Sequence, residues 1–123
     1  MLTCNKDRVQ NKIETFSKFG DAGHGGITRL SLSKEALQAR AEFVKRMLAL
    51  GVKVVTDDMA NMYATFPGTE AGLPRIVMAS HCDSVRNGGN YDGILGVMTA
   101  MEVVETIVTE KIPHRHQIGR AHV

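Results

Sequence analysis

Three residues in one short segment have the types and spacing to hold a metal ion: His81, Asp83 and Asp92. They lie in Ser80-His81-Cys82-Asp83-Ser84-Val85, followed by Asn87-Gly88-Gly89-Asn90-Tyr91-Asp92-Gly93. An imidazole and a carboxylate suit a divalent transition metal such as zinc or manganese. A carboxylate has two oxygens and can bridge two ions, as two-metal hydrolytic sites require. Period-two alternation puts His81 and Asp83 on one side of the chain and Cys82 on the other. Asp83 can then accept a hydrogen bond from His81, fixing its tautomer and raising its basicity. Spacing alone leaves a second reading open, because a buried, hydrogen-bonded His-x-Asp pair is common at the end of a strand.

These residues need elements to position them. Ile76-Val77-Met78-Ala79 follows Pro74 as an apolar run without alternation, which predicts a strand buried on both faces. His81 and Asp83 then sit at its carboxyl end, where open α/β sheets bind ligands. Residues 80–93 form a polar loop whose glycines let it fold back tightly toward His81. Ile94, Val97, Met98, Met101, Val104 and Val108 recur at helical spacing, predicting a helix over about 93–110 with Asp92 at its start. Thr99, Glu102, Thr106 and Thr109 mark its polar face, and Glu102, Glu105 and Glu110 read as solvated.

Upstream, Val9, Ile13 and Phe16 predict a helix over about 6–18, and 21–26 (DAGHGG) a flexible loop. Ser33 is a good N-cap for a helix whose apolar stripe is Ala36, Ala39, Phe43, Met47 and Leu50, stopped by Gly51. Val52 to Asp57 and Met62 to Phe66 read as two strands of a hairpin. The order helix, helix, hairpin, strand, helix points to an α/β layered sheet.

Composition excludes several classes. Aromatic residues are 5% with no Trp, so stacking platforms for bases are not expected. A net charge of +2 is too weak to argue for nucleic acid or an anionic membrane. No apolar run approaches a membrane span, and residues 1–10 lack the apolar segment of a signal peptide. Cys4 and Cys82 match no metal or redox spacing and read as free thiols of a reducing cytoplasm. His24 reads as solvent-exposed, Cys82 as pointing into the core, and Met98 and Met101 as helix core.

The segment MASHCDSVRNGGNYDGILGVMTAMEVV resembles the M20-type metallopeptidase superfamily. Within it the resemblance is to N-carbamoyl-L-amino-acid amidohydrolases and allantoate amidohydrolases. Those proteins carry Ser-His-x-Asp-[ST]-Val, an Asn-Gly-Gly loop and an Asp-Gly-x-x-Gly helix start, matched here by Ser80 to Val85, Asn87 to Gly89 and Asp92 to Gly96. The resemblance covers about residues 13–116. It implies the first portion of a three-layer αβα catalytic domain of a di-metal hydrolase. It also implies two divalent ions, zinc or manganese, with His81 a terminal ligand and Asp92 the bridge. Asp83 would be the catalytic-site residue that steers His81. The general base of the family belongs to a Glu-Glu pair on the next strand, which this chain lacks. The implied reaction is hydrolysis of linear ureido or amide C–N bonds in a small molecule, such as an N-carbamoyl-L-amino acid or allantoate. An aminopeptidase or deacylase of the same metal core is the alternative. A cytoplasmic parent enzyme, dimeric through a domain absent here and with no nucleic-acid or membrane partner, is also implied.

The resemblance breaks after His116. Residues 117–123 (QIGRAHV) look like a translated sequencing adapter. The expectation is a catalytic-domain portion over 1–116 and a non-native tail over 117–123, the latter without core contacts. The chain alone, lacking a base, is expected to be inactive. The competing view is a basic phosphate- or nucleic-acid-binding tail, built from Lys111, His114, Arg115, His116, Arg120 and His122.

Overall fold

The computed structural model describes residues 2–122, and the side chains of residues 2–119. Helix α1 spans Lys6–Ser17 and α2 spans Lys34–Ala49; strands β1 (Lys53–Thr56), β2 (Met62–Phe66) and β3 (Ile76–Ser80) follow, then α3 (Ile94–Thr109) and β4 (Ile118–His122). Two of the three helices start at a side-chain cap, Ser33 as expected and Asn5 in addition. Asn5 accepts from the Arg8 amide at 3.0 Å and Ser33 from the Ala36 amide at 3.1 Å, each satisfying an otherwise unpaired helix donor. Helix α3 has no side-chain cap and begins instead at Gly93.

β1 and β2 form the expected hairpin, antiparallel with Lys53 opposite Thr65 and Thr56 opposite Met62. The four strands make one mixed sheet in the order β1-β2-β4-β3. β4 runs antiparallel to β2 and parallel to β3, so β3, α3 and β4 form a crossover unit. All three helices share one core cluster with one face of the sheet. Ile13 and Phe16 of α1, Phe43 and Met47 of α2, and Val97, Met98 and Met101 of α3 meet Met62, Ala64 and Ile118 of the strands. The chain is α/β, as expected.

Three expectations need correction. β3 is not buried on both faces: Ile76 is 50% and Val77 59% exposed. It is an edge strand, and of its side chains only Met78 packs against the core that the helices share. Residues 118–122 do not stand clear of the core, and β4 occupies a central place in the sheet with Ile118 buried. Its pairing is physically intelligible. β2 and β3 each present backbone donors and acceptors that need partners, and main-chain pairing asks little of side chains. The approach is set earlier, where Thr69 and Glu70 amides donate to the His114 and Arg115 carbonyls and the Ile76 amide to the Gln117 carbonyl. Arg115, read as part of a basic tail, pairs with Glu70 at 2.6 Å, and the His114 ring stacks on Phe66. Val123 lies outside the described residues.

The third correction is Glu102, which is 1% exposed rather than solvated. Helix α1 lies on that face of α3 and brings two cations to it. Arg8 Nη2 donates to Glu102 at 2.6 Å and Lys12 Nζ at 2.9 Å, and the Asn5 amide adds a third bond at 2.9 Å. Lys12, also buried, reaches Glu105 at 2.6 Å. Burial pushes the Glu102 carboxyl up, but the hydrogen bonds from Arg8 and Lys12 outweigh it and hold the group at about 2.

Candidate metal-binding site

β3 ends at Ser80, and His81 is the next residue. The structure brings the three expected side chains to one place. His81 Nδ1 lies 3.1 Å from Asp83 Oδ1 and 3.2 Å from the Asp83 carbonyl. With the proton on Nδ1, the ring donates to Asp83 and leaves the Nε2 lone pair free. That Nε2 faces Asp92 Oδ1 at 4.0 Å. Cys82 points into the core, as alternation requires, while His81 and Asp83 are each more than 40% exposed at the side chain. A cavity of about 180 Å³ adjoins Asp83, lined also by Ser31, Leu32, Ala36, Arg40 and Asn61.

The close approach of α3 to the imidazole depends on glycine. Gly93 has φ +67, a left-handed conformation, and a Cβ there would fall 2.5 Å from both ring nitrogens of His81. Ser80 Oγ donates to the Gly93 carbonyl at 2.8 Å, and a Cβ at Gly96 would meet the same oxygen at 2.7 Å. Two glycines and one serine hydroxyl therefore let the helix start seat itself against the histidine and carry Asp92 to the ring.

The loop from 82 to 90 is held by a segment that the sequence reading left without a role, Ile27-Thr28-Arg29. The Ile27 amide donates to the Gly88 carbonyl at 3.0 Å and the Gly88 amide returns the bond at 2.8 Å. The Ser84 amide donates to the Arg29 carbonyl at 2.8 Å, and Ser84 Oγ accepts from the Arg29 amide at 2.9 Å. The Asn87 amide donates to Thr28 Oγ1 at 3.0 Å. Gly20, at φ +91, packs against the Thr28 backbone, and the Thr28 amide donates to its carbonyl at 2.7 Å. The run of glycines before Ile27 signalled a loop but not its partner, because a two-residue bridge between distant loops has no period to read.

No family profile matches the chain. Over 117 residues it is 35% identical to the N-carbamoyl-L-amino-acid amidohydrolase of Pseudomonas sp. strain NS671, a match that takes in 95% of this chain. It is 34% identical over 110 residues to the allantoate amidohydrolase of Escherichia coli K12, covering 89% of this chain and 27% of that protein. Its backbone superposes on a crystal structure of a hydantoinase/carbamoylase family amidase from Burkholderia ambifaria with TM-score 0.96, at 25% identity, over 99% of this chain and 30% of that one. The chain belongs to the hydantoinase/carbamoylase family of amidases. It spans about 28% of the length of the Pseudomonas relative. The same family was expected from the Ser80 to Gly96 motifs.

The residues present fit part of a metal site of such an amidase. Two donors of one zinc ion at tetrahedral angles lie roughly 3.4 Å apart. His81 Nε2 and Asp92 Oδ1 are a small side-chain rotation from that spacing. Among the described residues, no group of three or more His, Cys, Asp or Glu side chains is placed to share an ion. The pair supplies two donors, fewer than the four of a tetrahedral zinc site. Nor is any described helix long and apolar enough to cross a membrane.

Proposed function

We propose that the protein carrying this chain is a metal-dependent amidohydrolase of linear ureido or amide C–N bonds. Its substrates are small molecules of the kind that name its relatives, N-carbamoyl-L-amino acids and allantoate. One observation carries the reading: the approach of His81 Nε2 to Asp92 Oδ1 at 4.0 Å, with Nδ1 already committed to Asp83. His81 and Asp92 would hold the metal, zinc or manganese, with Asp92 offering its second oxygen to a second ion. Bound there, the ions would lower the pKa of a water and polarise the scissile carbonyl.

The work of this chain's own residues is to present ligands. Asp83 accepts the hydrogen bond from Nδ1 and turns Nε2 outward. Gly93 leaves room for the ring, and α3 fixes the backbone on which Asp92 stands. The general base and the remaining ligands are assigned to the part of the protein outside these 123 residues, as are the recognition groups for substrate. The parent protein is taken to be cytoplasmic and homodimeric through that same outside part.

Ammonia or free amino acid release from allantoate and from N-carbamoyl-L-amino acids tests this. The full-length protein should release product, lose activity on chelation and recover it with zinc or manganese, whereas the 123-residue chain should release none. Chelator-insensitive hydrolysis by the full-length protein, or metal-dependent turnover by the short chain, would contradict the proposal.

A further inference from the structure

Arg29 is 3% exposed, and no ion pair joins its guanidinium to a carboxylate among the described residues. Three of its hydrogen bonds go to main-chain carbonyls: Nε donates to Cys82 at 2.7 Å, and Nη1 to Phe16 at 2.8 Å and Phe19 at 2.7 Å. A buried cation is costly unless its donors are filled, and a guanidinium can fill several at once in a fixed fork. Burial lowers its pKa, and nearby Cys82 and Asp83 push the other way. The acceptors it has chosen are informative. Two belong to the C-terminal end of α1 and the turn after it. The third is the carbonyl between the two residues of the His81–Asp83 pair. The backbone of the same arginine grips Ser84 from both sides.

We propose that Arg29 is a positioning residue of the metal site, acting through the Cys82 carbonyl. With the Cys82–Asp83 peptide held to α1, the Cα of Asp83 is set in place relative to the His81 ring. The Nδ1 to Oδ1 bond then forms without further ordering. Lysine cannot replace this function, because one ammonium cannot span carbonyls on two segments in the same planar geometry. The inference rests on the reading of His81 as a ligand. It adds that the ligand's tautomer is set by a side chain that touches neither metal nor substrate and stands 53 positions before Cys82.

Nitrogen-15 NMR of the histidine rings in the 123-residue chain tests it, since ring nitrogen shifts report the tautomer directly. In the parent chain His81 should be the Nδ1–H form, and titrated Zn²⁺ should move its Nε2 signal. Arg29→Lys should give a mixture of tautomers and a Zn²⁺ midpoint raised about tenfold, the low end of the loss seen when a supporting partner of a ligand is removed. Ser84→Ala loosens the same peptide without stranding a cation, and it should shift His81 in the same direction by a smaller amount. If Arg29→Lys does not fold, Ser84→Ala alone decides. Met47→Ala, a core change in α2 that touches none of these acceptors, is the control for stability and should leave the His81 tautomer unchanged. Parent-like His81 signals in the folded Arg29→Lys chain, or in Ser84→Ala where only that chain folds, would overturn the proposal. So would an equal shift in Met47→Ala. A parent His81 that ignores Zn²⁺ would instead count against the metal reading, while the tautomer comparison would still decide the role of Arg29.

Discussion

Replacing Asp92 by alanine in the full-length enzyme should reduce turnover by about 1,000-fold or more. Metal-borne charge stabilisation is worth several kcal/mol, and each 1.36 kcal/mol is a factor of ten in rate. Asp92 is the only carboxylate whose side chain faces His81 Nε2 among the described residues, so alanine leaves the ring without a co-ligand from this chain. Asp83→Asn should be milder, roughly 10–100-fold, because the amide oxygen can still accept the Nδ1 proton while the ring loses the basicity that a charged partner confers. The two variants, assayed side by side for product release and for bound metal, separate the roles. Equal losses in both, with metal content intact in Asp92→Ala, would remove the assignment.

The second large effect lies in the core. Glu102→Ala should destabilise the chain by about 3 kcal/mol, because removing one partner strands buried cationic groups. Lys12 keeps Glu105 at 2.6 Å, which holds the loss to the lower end of the usual range. Arg8 and the Asn5 amide lose their closest acceptor, so the N-terminal turn of α1 should fray first. Acid sensitivity follows from the same group. Glu102 titrates at about 2 in the folded chain against 4.5 ordinarily. A depressed folded pKa stabilises above the unfolded value, so its contribution is full above about pH 4.5 and is lost as pH falls toward 2. Urea unfolding between pH 2 and 6 should therefore show a steep slope in the parent and a flatter one in Glu102→Ala. Parallel slopes would show that the pair is not coupled to folding.

The elements that were legible in the sequence are those that carry their own period. Ser33 and the stripe from Ala36 to Met47 specify α2, and the apolar spacing from Ile94 to Val108 specifies α3, because both patterns are local. The convergence of His81, Asp83 and Asp92 was legible too, since His81 and Asp83 alternate about Cys82 and the glycines at 88, 89 and 93 announce a tight return. β4 was not. Ile118-Gly119-Arg120-Ala121-His122 has little strand pattern, and its place between β2 and β3 is specified by backbone groups those strands leave open. Arg29 and Glu102 were missed for a common reason. A buried charge looks like a surface charge in sequence, and only the helix or loop folded over it supplies the partners. The exposure of Ile76 and Val77 was missed because an apolar run says that a strand is apolar, not how many layers cover it.

The most direct measurement is anomalous diffraction from crystals of the full-length protein grown with zinc or manganese. The expected result is an anomalous peak within about 2.0–2.2 Å of both His81 Nε2 and an Asp92 carboxylate oxygen, with Asp83 still on Nδ1. A fully occupied metal peak elsewhere, with His81 Nε2 and Asp92 both out of its coordination shell, would contradict the assignment of this site.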